Sequence, residues 1–255
     1  MQKDIKLIVP DSLHEIELGQ YQDYLASIEG LDATEDAEKI NRKLIETFCG
    51  LKPEQVNLLP LTSIESLLGV LSGAFSEEFE LIRHFELDGV KFGFIPKLDD
   101  MSLGEYIDLE STFGDWEKMH KAMAILYRVV NFEKGEKYTI NSYETNEELA
   151  EAMKMMPLSV VMSCMVFFLR FRDGISASYV ELYTESSGGE QHNVSSEGGF
   201  GAKWGWYQSI YGLAQGDVRR FDEITALPLH QCLTFLAFEK EKNELEAAMI
   251  KKQYK

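Results

Sequence analysis

One run, "LDDMSLGEYIDLE" (98–110), carries five carboxylates: Asp99, Asp100, Glu105, Asp108 and Glu110. Two carboxylates held at a fixed separation could work as an acid–base pair or share a divalent cation. A plainer assignment competes with this. Asp99, Asp100 and Glu105 stand where a helix begins, and acidic groups there face the positive end of the helix dipole. Capping is the favoured reading, and an intracellular enzyme using these carboxylates is kept as an alternative.

The other reactive residues form no pattern. The histidines are His14, His84, His120, His192 and His230, and none stands in an HxxxH or HExxH spacing. Cys49, Cys164 and Cys232 are far apart in apolar surroundings, with no CxxC pair. They read as buried, reduced thiols, the usage expected of a cytoplasmic protein without a signal peptide. "GGFGAKWGW" (198–206) is rich in glycine, but it lacks the spacing of a phosphate loop and has no Ser or Thr after Lys203. The expectation is no catalytic residue, no metal site and no cofactor.

Charge narrows the partners. With 25 Lys and Arg against 43 Asp and Glu, the net charge is −18. Gripping a phosphate backbone needs basic clusters, so specific nucleic-acid binding is not expected. The longest apolar run, "PLSVVMSCMVFFL" (157–169), is too short to span a bilayer and reads as a central helix, apolar all round. No membrane association is expected.

The elements that position these residues read as mainly α (α+β), a helical domain with a small antiparallel sheet. "FELIRHFELDGVKFGFIP" (79–96) is a hairpin signal, with Asp88-Gly89 supplying the tight turn. Residues 5–9 are expected to form a strand beside it, and 136–141 a further short strand. An internal duplication is also legible. "IKLIVPDSLHEIELGQYQDYL" (5–25) and "VKFGFIPKLDDMSLGEYIDLE" (90–110) share a β-rich run, a proline and a Leu-Gly-x-Tyr helix start. "DAEKINRKLI" (36–45) pairs with "DWEKMHKAMA" (115–124), and "LPLTSIESLLGVL" (59–71) with "MPLSVVMSCMVFF" (156–168). These matches predict that 5–71 and 90–168 are similar substructures, against coincidence of common helix starts. A further "LPLHQCLTFLAF" (227–238) echoes the last block alone.

The domain reading is a duplicated helical and hairpin body over 1–172, a Ser/Gly-rich arm or loop over 173–203, and C-terminal helices over 204–255. The first of these helices stops at Gly216, and Asp222 or Thr225 caps the second. The arm cannot bury enough apolar area to order itself. It ends in Phe200, Trp204, Trp206 and Tyr207, the candidate interface residues, which anchor the chain on a core or on a partner.

Four stretches together carry a resemblance: "SLHEIELGQYQDYL" (12–25), "FGFIPKLDDMSLGEYIDLESTFGDWEKMHKAMAILYR" (92–128), "MKMMPLSVVMSCMVFFL" (153–169) and "GLAQGDVRRFDEITALPLHQCLTFLAFEKEKNELE" (212–246). They resemble proteins from the virion and tail gene modules of tailed bacteriophages, including crAss-like phages. Some of those proteins are similar to tail assembly chaperones or baseplate-assembly proteins. The Ser/Gly-rich insertion at 173–203 departs from the compact form of that group. The resemblance implies a non-enzymatic structural part of the tail or neck, a homo-oligomeric ring contacting other tail or neck proteins, located in the virion and assembled in the host cytoplasm. A tail assembly chaperone absent from the mature particle is the alternative.

Overall fold

A computed structural model describes residues 7–76, 80–183 and 200–253, without the side chains of 200–203. Of the expected arm (173–203), residues 184–199 lie outside the described residues. The elements in chain order are α1 (Leu18–Ser27), α2 (Ala37–Phe48), α3 (Pro53–Val56), α4 (Leu61–Phe75), β1 (His84–Leu87), β2 (Val90–Phe94), α5 (Leu103–Thr112) and α6 (Met119–Leu126). Then follow β3 (Tyr127–Lys134), β4 (Lys137–Ile140), α7 (Glu147–Ala152), α8 (Leu158–Ser178), α9 (Val180–Tyr183), α10 (Phe200–Leu213), α11 (Phe221–Thr225) and α12 (Leu229–Gln253). The protein is mainly α with one four-stranded antiparallel sheet among the described residues, in the order β1-β2-β3-β4. This is the fold class expected from the sequence.

The chain divides into two compact units. Unit 1 holds Met1–Phe94 and Thr112–Phe167, and unit 2 holds Ile95–Ser111 and Phe168–Lys255. The segment carrying Leu103-Gly-Glu-Tyr thus groups with the C-terminal helices. Residues 173–178 continue α8, and 180–183 form α9, so helix extends well into the segment expected to be an arm.

In unit 1, Asp88 and Gly89 both take positive φ, 50° and 77°, which closes the β1–β2 turn as the Asp-Gly pair requires. Phe85 pairs with Phe92 across the hairpin, and their rings stack with centroids 5.2 Å apart. At Gly93 a methyl group would come within 2.7 Å of the Tyr138 ring, so the absence of a side chain lets β4's tyrosine cross the sheet. The Tyr138 hydroxyl then donates to the Phe94 carbonyl at 2.6 Å. The hairpin and the 136–141 strand match the sequence reading. The expected strand over 5–9 does not form in its described part. Residues 7–9 are irregular, and among the described residues no strand pairs with them.

α8 corrects a second expectation. Val160, Val161, Cys164 and Phe168 are buried, but Val166, Phe167 and Leu169 are exposed, so the helix is two-sided rather than enclosed. A third correction concerns the last helix. Pro228, not Asp222 or Thr225, precedes α12, and Asp222 and Thr225 belong to the separate short helix α11. Proline suits a helix start because its missing N–H would be unpaired there.

Candidate interaction surface

Each unit contains the same backbone frame. In unit 1, Leu18 N–H donates to the Met156 carbonyl at 2.9 Å, and Leu158 N–H donates to the Ile16 carbonyl at 2.7 Å. In unit 2, Leu103 N–H donates to the Leu227 carbonyl and Leu229 N–H to the Met101 carbonyl, both at 2.9 Å. These bonds make the isolated antiparallel bridges Glu17–Pro157 and Ser102–Pro228. One residue further on, the glycines meet their partners in the same way. A Cβ on Gly19 would lie 3.2 Å from both Cβ and carbonyl oxygen of Lys154, and one on Gly104 would lie 3.2 Å from the same two atoms of Thr225.

The duplication is therefore present in geometry, but its halves are assigned differently from the sequence matches. The Leu18 helix takes the Pro157 helix as partner, and the Leu103 helix takes the Pro228 helix. Pro60 stands before α4 and makes neither bridge. Pairing 59–71 with 156–168 therefore fails, and the block set aside as an echo, 227–238, is the true counterpart. Sequence order favoured the wrong pairing because both partner helices come late in the chain.

Asp99, Glu105 and Glu110, three of the five 98–110 carboxylates, have local partners in unit 2. Glu105 accepts from Ser102 N–H at 2.6 Å while Ser102 Oγ accepts from Glu105 N–H at 3.2 Å, a reciprocal helix cap. Asp99 lies 3.2 Å from His230 Nε2, whose Nδ1 is 3.0 Å from the Tyr179 hydroxyl. Glu110 accepts from Trp206 Nε1–H at 2.6 Å and from the Tyr106 hydroxyl at 3.2 Å. Burial, then Glu110 and Tyr183, push the Tyr106 phenol far up, so it stays a donor. The buried Tyr183 hydroxyl makes no well-formed hydrogen bond.

The candidate interface residues separate around a kink. Gly205 breaks α10 with φ 42° and ψ −125°, which turns Trp204 and Trp206 to different surroundings. Trp206 faces inward, half-buried, edge-on to Tyr106 at 5.9 Å as well as bonded to Glu110. Trp204 and Tyr207 are 40% and 49% exposed and pack on each other at 5.5 Å, with Tyr207 edge-on to Phe221. The side chain of Phe200 lies outside the described residues.

α12 holds a surface that the sequence reading missed. Leu229, Cys232, Leu233, Leu236 and Lys240 are buried, one stripe at helical spacing. The stripe ends at Lys240, whose ammonium donates to the Glu181 carbonyl. On the opposite side Phe235, Phe238, Leu245 and Met249 are exposed, and every residue from 241 to 253 is exposed. Their positions, together with Lys242, repeat alternately every three and four residues, which was the available signal.

In unit 1, His120 is buried. Gln22 Nε2 approaches its Nδ1 at 3.2 Å, and its Nε2 lacks a well-formed hydrogen bond, with Glu151 Oε1 3.4 Å away. A solvated ring would be expected beside Lys121 on this helix, and the structure corrects that expectation. The helix that carries His120, α6, packs against α7 and the turn that follows. Cys164 and Cys232 are buried and Cys49 half-buried, and burial raises all three thiols, Cys232 to about 11. Among the described residues, no group of three or more His, Cys, Asp and Glu is placed to hold a metal ion. No described helix is long and apolar enough to cross a membrane. No family model, curated protein or solved structure matches this chain.

Proposed function

We propose that the protein is a structural part of a tailed-phage particle, working through protein–protein contacts in the tail or neck as a ring of identical copies. The observation that carries this reading is the set of large apolar side chains left exposed in unit 2: Trp204, Tyr207 and Tyr211 on α10, and Phe238, Leu245 and Met249 on α12. Exposed apolar side chains grouped on two helices are a common mark of interaction surfaces. The acidic character fits a wall near packaged DNA, since like charge keeps the two apart. Three of the five carboxylates of 98–110 have local partners, which favours a contact role over the enzyme alternative. Glu105 caps α5, Glu110 holds Trp206, and Asp99 meets His230.

Quantitative mass spectrometry of purified particles tests the reading. Many copies per particle are expected. Absence from the finished particle, with presence in the infected cell, would favour the tail assembly chaperone, which shares the contact surfaces but leaves after assembly.

A further inference from the structure

The exposed stripe of α12 has a charge pattern that selects its occupant. Assigning Phe235, Lys242 and Met249 to one core position of a heptad and Phe238 and Leu245 to the other makes a coiled-coil seam. The flanking positions then include Glu239, Glu241 and Glu246. All three are acidic, and they border the seam on both sides. The opposite face is already docked within unit 2 as far as Lys240, so the seam is the side left for a second helix. Every residue from 241 to 253 is exposed, a stretch of about 20 Å at 1.5 Å per residue. A helix that short gains most of its stability from packing rather than from its own hydrogen bonds.

A second copy of the chain fits this seam poorly. In a parallel pair Lys242 would face Lys242 in the core. In either orientation acidic flanks would meet acidic flanks, which is unfavourable. Each copy also brings a net charge of −18. We infer that the α12 seam takes an amphipathic helix of a different protein, one with apolar core positions, Lys or Arg at its flanks and a carboxylate opposite Lys242. This inference rests on the contact-surface reading above and names the chemistry of one partner. The ring contacts between identical copies would then fall to the exposed α10 residues Trp204, Tyr207 and Tyr211.

The test uses the full chain and synthetic peptides. One three-heptad peptide carries leucine at the core positions, one glutamate placed to face Lys242, and lysine at the flanks. A second carries glutamate at the flanks, and a third scrambles the first at equal charge. The lysine-flanked peptide is expected to bind at least about tenfold more tightly than the glutamate-flanked one, the sum of several flanking ion pairs. It should also bind more tightly than the scrambled peptide, and weaken as salt rises. The double variant Phe238→Asp/Leu245→Asp changes only exposed side chains, so it should keep the parent's circular dichroism and lose the preference. The variant Glu239→Lys/Glu241→Lys/Glu246→Lys should reverse it, which covers the case in which the first variant misfolds.

Equal binding of the three peptides, or none, overturns the inference. So does parent-like binding by a folded double variant. Self-association of the parent that the double variant abolishes, without peptide preference, would mean that a second copy occupies the seam. Particle composition is measured separately. A protein present in the particle without peptide preference loses only this inference, and one absent from the particle with a clear preference loses only the structural reading.

Discussion

The two Leu-Gly-x-Tyr frames share their backbone bonds and differ in what surrounds the tyrosine. Tyr106 is fully buried, bonded to Glu110, and edge-on to Trp206, whose indole donates to the same carboxylate. Tyr21, its counterpart, is half-buried and edge-on to Trp116 at 4.8 Å. The residue four beyond the tyrosine explains much of the contrast, Glu110 in one frame and Leu25 in the other. The carboxylate lets unit 2 tie a tryptophan to its frame by a charged hydrogen bond, where unit 1 relies on ring packing. A repeated scaffold thus keeps its backbone joint while one substitution changes what attaches to it.

The joint itself gives the largest expected effect. Leu18 and Leu103 are both fully buried at the residue that makes the bridging hydrogen bond. Leu18→Ala and Leu103→Ala should each cost about 2–5 kcal/mol, the range for emptying a buried leucine site. Urea unfolding followed by circular dichroism measures both. If one costs under about 1 kcal/mol, the frames are alike in geometry but not in what they support.

The tryptophans sharpen the comparison at smaller scale. Trp206→Phe keeps most of the ring packing and removes the donor to Glu110, so it should cost about 2 kcal/mol, as expected for a hydrogen bond to a charged group. Trp116→Phe keeps an edge-on partner for Tyr21 and should stay within about 0.5 kcal/mol of the parent. Equal losses would mean that packing, not the Glu110 bond, governs both sites.

How far the sequence revealed this follows from the same residues. Leu18-Gly19 and Leu103-Gly104 were legible as a repeat because the close approach to Lys154 and Thr225 favours glycine at one fixed place. The partner helices were not assignable, since three segments begin with Pro-Leu and only the fold shows which two make bridges. The Asp88-Gly89 turn was legible because its chemistry is local. The α12 seam was passed over because the inward stripe and the outward stripe are interleaved in one helix. Only burial separates Leu236 from Phe238. The opposite surroundings of Trp204 and Trp206 depend on the kink at Gly205, a backbone choice that glycine permits but does not announce.

The smallest expected effect concerns acid, and it falls on unit 1. Burial lowers the His120 pKa from its ordinary 6.5. Lys154 and Lys121 push the same way, against Glu151 and Glu147. The neutral ring fits the site, since Gln22 Nε2 can donate to an unprotonated Nδ1 and a proton there would remove the acceptor. An unfolded chain takes up that proton near pH 6.5, while the folded chain holds out to lower pH. The unfolded state therefore binds more protons below that point, and stability falls as pH drops through the window below about 6.5. His84 adds to the same slope, because burial, Lys91 and Arg83 lower its pKa against Glu133. His120→Gln should keep an acceptor for Gln22 and remove one of the two contributions. The urea midpoint of this variant should then drop less than the parent's between pH 7 and pH 5, without becoming flat. Parallel losses in parent and variant would show that the ring takes up its proton alike in the folded and unfolded states, and that unit 1 has no acid-sensitive contact at this ring.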